Sequence, residues 1–248
     1  MEHNTNIRVT AVVLAGGRGN RMKSDIPKQY LEIMDRPVLY YSLAAFAAHP
    51  AVDDIVLVTG AGEEDYCRQE IVDRFHIEKV KAVVAGGAER YDSVQNGLLA
   101  VEGLMKEAEA SQGTLRQIVM IHDGARPCVT AEIIDRALSD VIRYGASVVA
   151  MPVKDTIKVA DPEGFAASTP DRSLLWLIQT PQSFDYDLIR KAYDAFRADS
   201  SRGATDDAML VERYTDRKVK LTPGDYRNIK ITTPEDMILA EAFLKIQR

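Results

Sequence analysis

One stretch near the start of the chain constrains its fold more than any other. Thr10-Ala11-Val12-Val13-Leu14-Ala15 is apolar and rich in β-branched residues, which reads as a buried strand. It breaks at once into Gly16-Gly17-Arg18-Gly19. Without Cβ atoms, such a loop reaches positive φ and lets its backbone N–H groups come close to a ligand. Successive N–H groups in a turn make an anion-binding concavity. Three cations, Arg18, Arg21 and Lys28, follow in or just after the loop. Together these features suit a nucleoside triphosphate. A plain tight connection would leave Arg21 and Lys28 without a reason to flank the loop.

Two commoner glycine motifs do not fit. The dinucleotide fingerprint needs a third glycine where Met22 stands, and it opens a long helix. Here Ser24, Asp25 and Pro27 stop a helix almost immediately. The P-loop ends in Gly-Lys-Ser/Thr, a tripeptide this chain lacks.

The 248 residues, 46% hydrophobic and 27% charged, have an ordinary globular composition and can bury a sizeable core. A formal net charge of −6 argues against non-specific nucleic-acid binding. Cys67 and Cys128 form no CxxC pair, so neither zinc nor a disulfide framework is expected, and a reducing cytoplasm is. The first residues are polar and lack a signal-peptide core. The longest nearly apolar run, 38–48, falls well short of the ~20 residues that span a bilayer. The expectation is a cytoplasmic protein that binds neither nucleic acid nor membrane.

Apolar runs and helical patterns alternate along the first two thirds. Strands are predicted at 54–60, 80–85, 117–121 and 147–153, and helices at 38–47, 63–75, 94–108 and 130–144, the last closed by Gly145. This is the signature of βαβ units in a mostly parallel sheet with helices on both faces, an α/β, Rossmann-like architecture. Ligands of such sheets bind at the carboxyl ends of the strands. The loops at 16–19 and 86–93 and the carboxylate of Asp123 all fall there. Residues 154–184 break the pattern. An alternating segment at 154–160, a turn at 161–164 and a return at 165–169 read as a hairpin projecting from the sheet. An isolated hairpin is marginal in water, so this arm, about 154–175, needs something to pack on, most simply a second subunit. Helices at 186–197 and 206–214, a strand at 218–222 and a final helix from Thr233-Pro234 follow, with Asp236 completing an approximate capping box. The whole chain, 1–248, reads as one domain carrying an arm.

Asp123 is the metal candidate. A carboxylate at a strand end beside a phosphate loop suits Mg²⁺, which takes oxygen ligands and bridges phosphates; the plain alternative is a cap for the following turn. Asp225 and Asp206 are weak candidates for a second carboxylate, and His122 points to the opposite face as a structural residue. Arg21 and Lys28 are candidates for neutralising transition-state charge, although both could be solvated loop cations. Gly86, Gly87, Arg90 and Ser93 could line base and ribose, with Ser93 as a possible helix N-cap. Lys230 could reach an acceptor phosphate, and Arg172 lies just beyond the arm.

The motifs resemble a known family. Leu14-Ala15-Gly16-Gly17-Arg18-Gly19-Asn20-Arg21-Met22 with Pro27-Lys28-Gln29-Tyr30 is similar to the opening of the 2-C-methyl-D-erythritol 4-phosphate cytidylyltransferases. So are Gly86-Gly87-Ala88-Glu89-Arg90-Tyr91-Asp92-Ser93-Val94, His122-Asp123-Gly124-Ala125-Arg126-Pro127 and Val153-Lys154-Asp155-Thr156-Ile157-Lys158. Asp171-Arg172 with Leu175-Trp176, Gln179-Thr180-Pro181-Gln182-Ser183-Phe184 and Asn228-Ile229-Lys230-Ile231-Thr232-Thr233-Pro234-Glu235-Asp236 complete the series in the family's order. The resemblance implies a fold of the nucleotide-diphospho-sugar transferase type. It also implies an enzyme of non-mevalonate isoprenoid synthesis that joins CTP and 2-C-methyl-D-erythritol 4-phosphate, releasing pyrophosphate. By the same resemblance Arg21 and Lys28 are catalytic. Ala15, Gly16, Gly17, Gly19, Arg21, Lys28, Gly86, Gly87, Arg90, Ser93, Asp123 and Gly124 bind CTP. Asp123 holds Mg²⁺. Arg126, Thr156, Arg172 and Lys230 bind the acceptor. The family's arm exchanges across a homodimer, so Thr156 and Arg172 would serve the neighbour's site. Gly124, where many members have alanine, and Leu14, where some have proline, are departures expected to change little.

Three other readings stand beside this one: a ribitol 5-phosphate cytidylyltransferase, a nicotinamide-dependent oxidoreductase, and a nucleotide-binding module without turnover. The segment Asp171-Arg172…Leu175-Trp176 favours the methylerythritol acceptor, while Met22 and Pro27 weigh against the oxidoreductase.

Overall fold

The computed structural model describes residues 7–17, 22, 26–199 and 203–247. A seven-stranded sheet runs through its centre. β1 (Ile7–Ala15) has β4 (Asp54–Thr59) and then β5 (Val80–Ala85) on one side and β6 (Arg116–Asp123) on the other, all parallel. Beyond β6 lies β10 (Trp176–Asp185), antiparallel to both its neighbours. β7 (Ala146–Pro152) follows, and β11 (Lys220–Pro223), parallel to β7, forms the edge. Two short antiparallel pairs stand apart: β2 (Glu32–Ile33) with β3 (Arg36–Pro37), and β8 (Val159–Ala160) with β9 (Ala166–Ser168). The second pair is the tip of the arm, exposed throughout.

Strand alternation divides the core in two. Val9, Ala11 and Val13 of β1 pack with α1 (Val38–Ala48) and α4 (Ala131–Tyr144), and α2 (Glu64–Cys67), which continues as a π-turn over Arg68–Asp73, joins them. Val12 faces the other layer, with α3 (Arg90–Gln112), α5 (Tyr186–Ala198) and α6 (Asp207–Tyr214). All six residues of β4 are buried, as a strand covered on both faces requires. α7 (Pro234–Ile246) closes a smaller cluster with Ile33, Val38 and Cys128. Among the described residues, no helix is long and apolar enough to cross a membrane.

The ends of the helices follow the sequence. Gly145 takes the left-handed conformation, φ 81°, after α4. Thr233 caps α7 with Pro234 in the first turn, and the Asp236 carboxylate accepts from the Thr233 N–H at 2.8 Å. Two elements differ from expectation. α3 begins at Arg90 rather than near 94, capped by Glu89 with Asp92. This puts Arg90 and Ser93 in the first helical turn, and Ser93 is not the cap. Residues 176–185, read as part of a break, form the longest described strand. Its polar middle, Gln179 to Gln182, is absorbed by a register shift against β7, where a proline is tolerated.

Phe184 on β10 is fully buried between α5 and the sheet. Phe184→Ala is expected to lower the unfolding free energy by about 3–5 kcal/mol, measured by urea denaturation.

Candidate active site

The register sets the site. Leu14 pairs with Asp123, Ala15 with Thr59, and Thr59 with Ala85, so four parallel strands end at one level. Their ends and the loops beyond them line a cleft of about 880 Å³, large enough for a nucleotide. Ala15, Gly16, Gly17, Gly86, Gly87, Arg90, Ser93 and Asp123 are in its wall, together with Lys28, Glu63 and Lys230.

The glycines act by close approach rather than by positive φ. Neither Gly16 nor Gly86 is among the positive-φ glycines. A Cβ on Gly16 would stand 3.0 Å from the Thr59 carbonyl oxygen, and one on Gly86 2.8 Å from that same oxygen and 2.7 Å from Ser93 Oγ. Adjacent strand ends thus pack loop against loop. Ser93 Oγ accepts from the Gly87 N–H at 3.0 Å and donates to the Glu89 carbonyl at 3.3 Å, which ties the second glycine loop to α3.

Asp123 is the electrostatic centre. Lys230 Nζ lies 2.9 Å from its carboxylate, Arg126 Nε 3.6 Å and Arg90 Nε 3.9 Å. Burial alone would push this carboxyl up; the three cations outweigh it and hold it well below the usual carboxylate range. Lys230 arrives on a segment whose Ile231 N–H bonds the Ala125 carbonyl at 2.8 Å. Arg126 Nη1 donates to the Asn228 carbonyl at 2.8 Å in the same segment, and burial draws its guanidinium below its ordinary value. Behind Asp123, Thr180 Oγ1 accepts from its backbone N–H at 3.1 Å and lies 3.0 Å from His122 Nδ1. The Thr180 hydroxyl therefore donates to Nδ1, and Nε2–H donates to the Arg126 carbonyl at 3.3 Å. Burial pushes the His122 ring down to about 4, so it is a neutral structural residue.

Arg90 is clamped from the other side. It donates two hydrogen bonds to Asp207, at 2.9 and 2.7 Å, and Tyr193 Oη donates a third to that carboxylate at 2.6 Å. Both Nη atoms are thereby engaged, and Nε is the edge that faces Asp123. Lys28 sits in a 3-10 turn, Lys28–Tyr30, and its Nζ donates to the Ile231 carbonyl at 2.8 Å. The neighbouring Gln29 is buried and donates to the Ala15 carbonyl at 2.6 Å. The turn therefore bridges the first glycine loop and the Lys230 segment.

Not every expected residue meets here. Arg18, Gly19 and Arg21 lie outside the described residues. Thr156 and Arg172 sit on the exposed arm, where Arg172 Nη1 donates to the Lys154 carbonyl at 2.8 Å, and neither lines the cleft. Gly124 is not among the residues that line the cleft. A Cβ would stand 2.7 Å from Leu39 Cδ1 and 2.9 Å from the Leu14 carbonyl oxygen, so a neighbour must move.

The donor set bears on Mg²⁺. Among the described residues, no group of three or more His, Cys, Asp or Glu side chains could hold a metal. Asp206 caps α6 and Asp225 is paired with Arg227 at 2.6 Å, so neither joins Asp123. A single carboxylate fits Mg²⁺ that takes its other oxygens from phosphates and water, and it does not fit a pre-built all-protein cage.

Residues 9–246 match the family model described as 2-C-methyl-D-erythritol 4-phosphate cytidylyltransferase. The enzyme of that name from Lachnospira eligens is 48% identical over 95% of this chain and 99% of its own length. The one from Geobacter metallireducens is 47% identical over 96% and 97%. The crystal structure of the 4-diphosphocytidyl-2C-methyl-D-erythritol synthase from Anaerococcus prevotii superposes with a TM-score of 0.78 at 32% identity, covering 96% of this chain and 99% of that one. The chain belongs to the 2-C-methyl-D-erythritol 4-phosphate cytidylyltransferase family. It is a nucleotidyltransferase of non-mevalonate isoprenoid synthesis that joins CTP and the methylerythritol phosphate, and the ribitol and oxidoreductase readings fall away.

For this cytidylyltransferase the sequence left unmarked one wall residue, Glu63, and the partners of two others, Asp207 on Arg90 and Thr180 on Asp123. Asp207 falls at the start of the helix predicted over 206–214, yet it is fully buried. Thr180 lay in a stretch read as irregular, and Glu63 at the start of a helix. Two carboxylates at a helix start are ordinary first-turn chemistry, so nothing local marked Asp207 as a buried cation partner.

Asp207→Ala leaves the Arg90 guanidinium without its buried partner. Thermal and urea unfolding of this variant are expected to show a loss of about 3–5 kcal/mol.

Proposed function

We propose that the cleft performs the transfer as an in-line displacement. A phosphate oxygen of the methylerythritol phosphate attacks the α-phosphorus of CTP. The bond from that phosphorus to the oxygen bridging to the β-phosphate breaks, and pyrophosphate leaves. Such a reaction depends on positioning and on neutralising the phosphoryl oxygens rather than on covalent chemistry by the protein. One observation carries this reading: Lys230, Arg126 and Arg90 converge around one carboxylate at the ends of four parallel strands, and Lys28 lines the same cleft.

In this reading Arg21 and Lys28 neutralise charge developing on the α- and β-phosphates. Gly16, Gly17, Gly86, Gly87 and Ser93 seat the nucleotide. Lys230 and Arg126 receive the acceptor's phosphate, which competes with Asp123 for them. Asp123 would hold Mg²⁺; when bound, the ion supplies charge neutralisation on the phosphate oxygens. The reading also keeps the chain as one domain, since β1 and β11, from opposite ends of the sequence, share one sheet.

The arm supports a homodimer. Phe165 is 69% exposed and Leu174 77%, a surface that a second subunit would cover. Thr156 and Arg172 would then enter the neighbour's cleft. The two cysteines, in no paired motif, support a cytoplasmic setting.

Arg21→Ala and Lys28→Ala are each expected to lower kcat by about 10²–10³-fold, followed as pyrophosphate release from CTP and the methylerythritol phosphate. Retention of near-normal turnover by either variant removes it from this role. Mixing inactive Lys28→Ala and Arg172→Ala subunits and letting them exchange should recover roughly a quarter of full activity, because each mixed dimer holds one intact site. No recovery would mean that each arm serves its own chain.

A further inference from the structure

The turn that carries Lys28 is held by three side chains. Two of its tethers are those already described, Lys28 to Ile231 and Gln29 to Ala15. The third crosses the cleft wall: Tyr30 Oη donates to Glu63 Oε2 at 2.6 Å, with Cys67 Sγ 3.1 Å from the same hydroxyl. Glu63 lies in the loop that follows β4 and is itself part of the cleft wall. A carboxylate there opposes the binding of a polyanion unless something holds it. The Tyr30 hydroxyl does so through a charge-assisted hydrogen bond. Burial keeps that hydroxyl protonated, pushing it well above its ordinary range, with Cys67 and Glu63 adding to the effect.

The space for this arrangement comes from Gly60. A Cβ at that position would stand 2.6 Å from Glu63 Oε2 and 2.8 Å from Cδ. Gly60 does not take a positive φ, so the glycine serves to leave room for the carboxylate. The Tyr30 ring is backed edge-on by Tyr66, with ring centroids 5.1 Å apart. Glycine, carboxylate and phenol thus fix one end of a three-residue turn whose other end bears the lysine.

We infer that Glu63, seated on Gly60 and bound by Tyr30, is a positioning unit that sets Lys28 for phosphoryl charge neutralisation. This rests on the role given to Lys28 above.

The test compares kcat and KM for CTP at equal concentrations of folded enzyme. Tyr30→Phe removes one hydroxyl and keeps the ring; kcat should fall about 10–100-fold, the equivalent of a hydrogen bond to a charged group, while KM for CTP stays within about threefold. Gly60→Ala displaces the carboxylate without deleting either polar group and should reproduce that loss. The double variant should be no worse than Tyr30→Phe alone. Glu63→Gln keeps an acceptor oxygen and should recover most of the activity lost in Glu63→Ala. Wild-type kcat in Tyr30→Phe overturns the proposal, as does a loss confined to KM for CTP, which would make Glu63 a direct nucleotide contact. Lys28→Ala separates the two levels. If it retains turnover, the role of Lys28 itself fails; if it is inactive while Tyr30→Phe is normal, only the positioning fails.

Discussion

The level at which four parallel strands end is the constraint on which the rest of this molecule depends. Strands in a sheet lie about 4.8 Å apart. The first residues after β1 and β5 therefore both meet the last carbonyl of β4, the strand between them. The Thr59 oxygen occupies the space that a side chain on Gly16 or Gly86 would need. Gly16 and Gly86 are bare first of all because both crowd the end of β4, and the anion-binding surface is a by-product of that crowding. Lengthening β4 by one residue would separate the two loops and open the base of the cleft.

The second organising fact is that opposite charges in the cleft are nested. Asp123 gathers Lys230, Arg126 and Arg90, and Arg90 is in turn held by Asp207. Each buried charge has a partner, which is the condition under which charges tolerate burial. The ring remains more cationic than anionic, as a site for two phosphorylated substrates requires. It also means that the site is self-satisfied, with Lys230 and Asp123 paired at 2.9 Å.

The architecture could be read from the sequence where burial on both faces writes it plainly. Ile55, Val56, Leu57 and Val58 are apolar without interruption because helices cover both sides of β4. Thr233-Pro234 and Asp236 mark the start of α7 because the cap is local chemistry. β10 was hidden because its polar middle finds partners only in the folded chain. Gln182 bonds Asp206 and the Asp207 N–H, and Gln179 bonds the Asp225 carbonyl. The site was legible where motif residues lie at strand ends, as with Gly86 and Asp123. It was not legible for Asp207, whose partner Arg90 is distant in sequence, or for Glu63, whose partner Tyr30 follows the motif lysine by two positions. A carboxylate declares its partner only once the sheet has brought distant segments together.

The backbone N–H of Gly124 bonds the Leu14 carbonyl at 2.8 Å, and the space above it is filled by Leu39. A methyl group at 124 and the present rotamer of Leu39 exclude each other. That methyl group would also meet the Leu14 carbonyl oxygen at 2.9 Å, so the Leu39 side chain and the end of β1 would both have to give. Alanine placed at 124 in this chain would therefore carry its strain into the strand that leads to the first glycine loop as well as into α1.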